Sequence, residues 1–548
     1  MTDYSSDVPG AFAGLGTHLS DVKASLDNLR KQEVVARIWQ KDHTVWRPDP
    51  GEITNRLGWL DVTKFMSKQV PDLAVFAEEI RGAGFRNVVL LGMGGAALGS
   101  EVLRQTFGSA AGYPELIVLD STVPACVQAV TEAIDPAHTL FLVSSKSGGT
   151  IETLSFYKYF RDLVEKVVGK ERAGQNFVAI TDSGTPLARM AEEKGFRRTF
   201  LNPADVGGRY SVLSYFGMVP AVLIGINIAA LLDGADCMRE GCISSVSPCE
   251  NPGAWLGATM GALARQGRDK LTLVTSPALG SFGLWVEQLI AESLGKDGKG
   301  IVPVAGEPLM ATTDYGDDRL FVYLRLAGDD NSAIDTAIER IKSSGQPVIN
   351  LEMPERYRLG SEFFRWEFAI AVAGAILGIH PFDQPDVKTA KDLTACVLQE
   401  YHASGRLPEV ETDQSFVDLM AKVKQGDYLA IMAYVRQTPG VDRALAELRR
   451  KVLESYHVAT NLGYGPRLLH SVGQLHKGGP DTGLFLQITA EHEKDLPIPG
   501  ESYTFGVLAD AQALGDLQVL QSLGRRVVRI HLSSGDESAI RKLVAELI

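Results

Sequence analysis

No run in this 548-residue chain approaches the ~20 consecutive apolar residues that a membrane-spanning helix needs. The opening stretch, MTDYSSDVPGAFAGLG, lacks a basic segment followed by an apolar one, so no secretory leader is expected. Cysteine is scarce. The five are Cys126, Cys237, Cys242, Cys249 and Cys396, with no CxxC pair and no His or Cys cluster beside Cys242 and Cys249. That scatter argues against a disulfide framework or a thiolate metal site and fits reduced thiols in a cytoplasm. There is no basic stripe. The formal charge of −13 is dispersed, which argues against nucleic acid but says little about a small anionic substrate. No short-period repeat and no low-complexity tract is visible. What remains is 45% hydrophobic residues over a length suited to two to four domains, enough to bury sizeable cores.

The most informative stretch is TLFLVSSKSGGTIET, residues 139–153. An apolar run, Leu140 to Val143, stops at Ser144, Ser145, Lys146, Ser147, Gly148, Gly149 and Thr150, and a helix-compatible segment follows. Strand, tight loop and helix would place hydroxyls and backbone N–H groups at a helix N-terminus, where a phosphate is favoured. The spacing G-x-x-x-x-G-K-[ST] is missing, so this is not a nucleotide P-loop. A phosphate on something smaller, such as a sugar, fits better. An ordinary strand-to-helix turn is the plainer reading of the same residues.

Residues 1–75 read as an amphipathic helical segment. A first α/β unit, 76–225, has strands at 88–91, 115–120, 139–145, 177–181 and 198–202, alternating with helices. A second, 226–400, has strands at 270–276, 319–327 and 346–353 and a long apolar helix at 363–379. The third portion, 401–548, is expected to be mostly helical to about 456, then Gly-rich, with strands at 483–489 and 525–532 around a helix at 507–524. Alternating strands and helices predict an α/β fold with doubly wound parallel sheets. Ligands of such sheets sit at the carboxyl ends of strands, where the turns Gly92–Gly95 and Ser144–Thr150 both fall.

Three further segments carry candidate chemistry. In NPADVGGRYSVLS, two glycines precede Arg209, whose guanidinium suits an anion, although a structural Arg after a turn is an equal reading. In WVEQLIAESLGKDGKGIVP, Glu287 and Glu292 are five apart and do not share a helix face well. Glu292 stands where helix gives way to loop, as would a functional carboxylate or a solvated helix-end acid. In HPFDQPDVKTAK, a Pro-flanked turn leads into a helix with Asp383 or Asp386 near its start and Lys388 and Lys391 one turn apart, also readable as an ordinary helix start with solvated lysines.

Taken together and in this order, these segments resemble phosphoglucose isomerase and its wider class of sugar-isomerase (SIS) domains. LLGMGGAALGS looks like the family's first glycine turn and SSKSGGTIET like its phosphate loop. PADVGGRYS matches its first signature, and ESLGKDGKGI is similar to the bacterial segment bearing the catalytic glutamate. PFDQPDVKTAK matches the second signature, with Lys391 seven residues after Gln384. The resemblance covers about 85–400. The rest, especially GYGPRLLHSVGQLHKGG, resembles the isomerase half of bacterial transaldolase–phosphoglucose isomerase fusions. No transaldolase barrel fits in the ~85 residues before the first sheet, so a stand-alone isomerase is expected.

The resemblance implies an aldose–ketose isomerase of glycolysis and gluconeogenesis that interconverts glucose 6-phosphate and fructose 6-phosphate. Its fold would be two SIS-type domains with a helical N-terminal segment and a C-terminal α/β portion. Ser145, Ser147 and Thr150 would bind the phosphate, with Lys146 and Thr153 adjacent. Gly94 and Gly95 would let backbone approach the sugar, and Gln288 and Gln384 would position hydroxyls. Glu292 would move a proton between C1 and C2, Arg209 would stabilise an enediolate, and Lys391 would assist ring opening. No metal or redox cofactor is required. A homodimer in the cytoplasm, with a sugar phosphate as its small-molecule partner and neither nucleic acid nor membrane, is also implied. Rival readings are a dual phosphoglucose/phosphomannose isomerase and a non-catalytic sugar-phosphate regulator, though a mere binder need not keep Glu292, Arg209 and Lys391.

One departure from the family matters. Many members open the sugar ring with a histidine from a neighbouring subunit, lying between the catalytic glutamate and the second signature. Here only His380 falls before Phe382, at a position the motif does not use. His470 and His476 in the third portion are therefore the candidates, with a pair of structurally satisfied histidines as the alternative.

Overall fold

A computed structural model describes residues 14–408, 410 and 414–547. The first thirteen residues of the expected N-terminal helical segment lie outside the described residues. Three parallel sheets follow one another along the chain.

The first sheet comprises β1 (Asn87–Gly92), β2 (Glu115–Leu119), β3 (Thr139–Ser144), β4 (Phe177–Asp182) and β5 (Arg198–Asn202), in the order β2-β1-β3-β4-β5. β1 and β3 are short apolar runs covered on both faces, as parallel strands between helix layers must be. The strand order reverses between β1 and β3, which pair directly, Gly92 opposite Ser144. Their carboxyl ends therefore open on the crevice where doubly wound sheets bind ligands. The Ser144 hydroxyl donates to Ala96 O at 2.8 Å and ties the two turns together. From the second turn springs α1 (Ile151–Val168).

The second sheet, β6 (Lys270–Thr275), β7 (Val302–Ala305), β8 (Arg319–Leu326) and β9 (Val348–Met353), runs β7-β6-β8-β9. Its β6-to-β7 crossover contains α2 (Phe282–Leu294), the helix of Gln288 and Glu292. A longer helix, α3 (Leu359–Leu377), is buried from Leu359 through Gly374 and forms the hydrophobic spine of the molecule. Its apolar residues are nearly continuous because helices cover it all round. The turn after α3 leads into α4 (Val387–Ser404). The family-implied α/β architecture with parallel sheets is the observed one.

The third portion differs from expectation. It is a full four-stranded parallel sheet, β10 (Tyr428–Tyr434), β11 (Ala459–Tyr464), β12 (Gly483–Ala490) and β13 (Arg526–Leu532), ordered β11-β10-β12-β13. β10 falls inside the stretch expected to be mostly helical. Its sequence, YLAIMAY, is buried at every position, and a short continuous apolar run does not distinguish strand from helix. α5 (Phe505–Ser522) connects β12 to β13. Two expected domain divisions cut helices, one within Val70–Gly82 and one within α4. The third sheet meets the second through a buried polar seam. Asn461 Nδ2 donates to Glu287 Oε1 (2.8 Å) and Pro303 O (3.1 Å), and Glu307 accepts from both Arg319 and the Thr460 backbone at 2.8 Å. Among the described residues, no helix is long and apolar enough to cross a membrane.

Candidate active site

A cleft of about 520 Å³ lies over the carboxyl ends of β1 and β3. Its walls come from all three sheets and from the N-terminal segment. Gly94, Gly95, Ser145, Lys146, Ser147, Thr150, Arg209, Gln288, Glu292, Gln384, Lys391 and His470, far apart in sequence, all line it.

The loop after β3 is built largely by its own hydroxyls. Ser145 Oγ lies 2.8 Å from Thr150 Oγ1 and accepts from Gly148 N at 3.1 Å. Gly148 takes φ +68°, and a Cβ there would meet Leu187 N and Thr185 Cβ at 2.8 Å, so only glycine fits. No side chain caps the N-terminus of α1, which leaves its first N–H groups to a ligand. Lys146 is braced differently from the implied role: its ammonium pairs with Asp182 and reaches Ala204 O at 3.0 Å. Gly94 and Gly95 also serve another end. A Cβ on Gly94 would strike His470 O at 2.7 Å, and one on Gly95 would strike Gly208 O at 2.0 Å. Protein backbone, packed against these glycines, forms the cleft floor.

At the other end stand Glu292 and Arg209. Glu292 is 5% exposed, and thus not the solvated helix-end acid that its sequence position also allowed. Arg209 Nη1 approaches its Oε2 at 3.4 Å and Gln288 Nε2 donates to the same oxygen at 3.2 Å. Burial pushes the Glu292 carboxyl above its ordinary value, against the opposing charges of Arg209 and His470. A raised carboxylate held in a closed wall suits proton transfer near neutrality. The Arg209 guanidinium is fixed by Ser293 Oγ (2.8 Å), Pro381 O (2.7 Å) and Asp383 O (2.8 Å). Beneath it, Tyr210 stacks on Trp59 and meets Phe382, with ring centroids 5.4 Å apart in each pair. Gln288 donates its amide to His470 O at 2.8 Å, while its Oε1 is buried without a partner among the described residues. Gln288 is itself one of the residues lining the cleft.

His470 enters from the third unit. Its Nε2 lies 2.7 Å from Glu152 Oε1, which also accepts from Gln512 Nε2 at 2.6 Å. Burial pushes the Glu152 carboxyl up, but the charge and hydrogen bond of His470, a backbone hydrogen bond and the Lys391 charge together outweigh it, and the net shift is downward. The contact with Glu152 orients the His470 ring, with Nε2 turned toward the carboxyl.

Two expected residues are corrected. Thr153 lies one position further into α1 than the pairing residue Glu152, is fully buried, and lines no part of the cleft. His476 is not in the cleft either. It sits in the short helix Gly473–Gly478 with its ring against Phe485 (centroids 5.0 Å apart), and burial holds it well below its ordinary value, hence neutral. Lys388 is exposed and also outside the cleft. Residues that sequence reasoning passed over include Arg56, which lines the cleft from the N-terminal segment and bonds Glu52 at 2.7 Å, and Glu152. Arg56 carries no local motif; Glu152 lay in the quoted loop, but its partner is 318 residues away.

Comparison with known proteins bears on this cleft. The phosphoglucose isomerase family model matches residues 72–303. A glucose-6-phosphate isomerase of Symbiobacterium thermophilum is 30% identical over 402 residues, covering 65% of this chain and 89% of that protein. The chain belongs to the phosphoglucose isomerase family. The Clostridium novyi glucose-6-phosphate isomerase is 28% identical over 429 residues, covering 69% of this chain and 94% of its own. Among solved structures, a hypothetical protein of Thermus thermophilus superposes with TM-score 0.58 at 26% identity, covering 69% of this chain and 97% of that one. A Chlamydia trachomatis glucose-6-phosphate isomerase superposes with TM-score 0.60 over 71% of this chain and 87% of that one; at 18% identity it speaks for the fold. Phosphoglucose isomerase membership thus accords with the parallel-sheet architecture around the cleft.

Proposed function

We propose that this cleft interconverts glucose 6-phosphate and fructose 6-phosphate through an enediolate. The observation that carries the reading is one arrangement. A buried carboxyl, Glu292, has a fixed guanidinium at its head and opens on the same cleft as an uncapped helix N-terminus ringed with hydroxyls. The substrate phosphate would sit on the first turn of α1 with Ser147 and Thr150, which places the sugar's other end at Glu292. Glu292 takes the proton from C2 of the open aldose and returns it to C1. Arg209 holds the charge that develops on the oxygens. Gln288 and Gln384 position sugar hydroxyls, and Lys391 assists at the ring. The name shared by the relatives supports the choice of substrate.

His470, oriented by Glu152, is the ring-opening group in this reading. It belongs to the same chain as Glu292, so a complete site requires no histidine from a neighbouring subunit, even where the family relationship implies a homodimer.

The test is a coupled assay of the purified chain with glucose 6-phosphate and then mannose 6-phosphate. Turnover of the first alone supports the proposal. Turnover of both makes it a dual phosphoglucose/phosphomannose isomerase, and binding without turnover makes it a sugar-phosphate regulator.

Two variants test particular roles. Ser147→Ala and Thr150→Ala each remove a hydrogen bond to a charged group, worth roughly 1.5–3 kcal/mol. Each should raise KM about 10-fold or more, with some loss of kcat because remote binding energy positions the reacting end. Unchanged kinetics in both and in the double variant would place the phosphate elsewhere. His470→Ala should slow turnover of cyclic substrate by about two orders of magnitude. Exchange of the C2 proton with solvent, followed on a substrate held open-chain, should survive. Equal losses on both would assign His470 another role.

A further inference from the structure

A buried cation beside the cleft, Lys296, has no part in the proposed chemistry. Lys296 lies two residues beyond α2 and four beyond Glu292, and is 2% exposed. Its Nζ meets three acceptors: His380 O at 2.6 Å, Asp383 O at 2.6 Å and Asp383 Oδ1 at 2.7 Å. An ammonium has three N–H donors, so its capacity is filled. All three acceptors belong to the single turn that joins α3 to α4. Arg209 grips that turn too, at Pro381 O and Asp383 O. Two buried cations thus converge on the Asp383 carbonyl. Gln384 is the next residue, and Lys391 stands on the first turns of α4 beyond it.

This arrangement is costly as a source of stability alone. Burial, and after it the Arg209 charge, hold the Lys296 ammonium down at about 7, against the pull of Asp383 and Glu292; His380 faces it as well. Replacing such a pair whole by apolar side chains of similar volume is often neutral or stabilising, whereas removing one partner strands the other. The clamp also has a direction. Lys296 extends from the helix of the catalytic carboxylate, Arg209 contacts that carboxylate, and both hold the segment that carries the two groups on the opposite wall. The 380–383 backbone therefore sets the width of the cleft between Glu292 and Lys391.

We propose that Lys296 is a positioning residue that, with Arg209, clamps the 380–383 turn and thereby places Gln384 and Lys391 against the sugar held at Glu292. It touches no substrate and acts through those two residues. The inference rests on the isomerase reading for its meaning, but its geometry can be tested separately.

The test is a double-mutant cycle on the full-length chain with Lys296→Met and Lys391→Met. It is read both as kcat/KM on glucose 6-phosphate and as affinity for 5-phosphoarabinonate, a five-carbon acid that presents a carboxylate where the enediolate forms. Lys296→Met should lower kcat/KM at least 10-fold, mainly in kcat, and, because the turn loses one of its two clamps, lower the melting temperature as well. Adding it to Lys391→Met should cost little more than Lys391→Met alone, because coupled residues are non-additive. Affinity for 5-phosphoarabinonate should show the same non-additivity. If the wild type binds this acid but does not turn over glucose 6-phosphate, the isomerase reading fails while the affinity cycle still tests the clamp. Multiplying losses, or wild-type behaviour of Lys296→Met, would overturn the proposal. Should Lys296→Met not fold, Asp383→Asn, which keeps the carbonyl and removes the carboxylate, takes its place in the cycle with the same expected pattern and the same contradicting result.

Discussion

Glu292→Gln should lose about 10²–10⁴ of its turnover while binding sugar phosphate as well as the wild type. The wall around Glu292 tolerates the change. Both neighbouring donors, Arg209 Nη1 and Gln288 Nε2, point at one oxygen, Oε2, and a glutamine can leave its carbonyl there. What the amide cannot do is take a proton from carbon. The measurement is kcat beside calorimetric affinity for 5-phosphoarabinonate; near wild-type kcat in the folded variant would remove Glu292 as the base. Glu287→Gln is the fitting control on the same helix. Burial pushes the Glu287 carboxyl up to about 8, so at pH 7 it is mostly neutral, and its contact is with Asn461 of the third sheet rather than the cleft. A neutral amide replaces a neutral acid there, and activity should change little.

Arg209→Lys is the second large effect. The guanidinium serves four partners in three directions: Ser293 through Nε, Glu292 through Nη1, and two backbone carbonyls through Nη2. A lysine has one nitrogen on a flexible stem and cannot span them. Loss of an oxyanion donor typically costs about 10²–10³ in kcat, and a fall of that size is expected here. Because the 380–383 turn loses one of its two clamps, a lower melting temperature should accompany it. Thermal melts and kcat on the same preparation separate the two effects. A folded variant with near-normal kcat would make Arg209 a purely structural cation.

The parts of this site that could be read in advance share a physical reason. β1 and β3 are apolar runs cut off by glycines and hydroxyls, and parallel strands must end in turns of that kind to reach the next helix. Those turns fall at the reversal of strand order, so sequence and topology point to one place. Arg209, Glu292 and Lys391 sat in motifs whose resemblance to a family was specific. Where motif and orientation part company, the reading failed. Thr153 follows the Ser144–Thr150 loop in sequence, but one helical step turns it into the core. His476 is six residues from His470, yet packs on Phe485 while His470 reaches the cleft. β11 was illegible because its inward positions, Thr460 and Asn461, are polar; they are buried only because Glu307 and Glu287 arrive from another sheet to bond them. The Glu152–His470 pair was hidden for the same reason, since a contact across 318 residues leaves no local pattern.

The central claim is that Glu292 carries a proton between two carbons of a bound sugar phosphate. Its most direct test is deuterium incorporation at C2 of glucose 6-phosphate in deuterium oxide, followed by NMR with the wild type and with Glu292→Gln. The account predicts that the wild type labels C2 as it equilibrates the aldose and ketose phosphates, and that the variant labels it at least about 100-fold more slowly with its affinity intact. Equal labelling by both proteins, or neither labelling nor aldose–ketose interconversion by a wild type that binds the substrate, would contradict it.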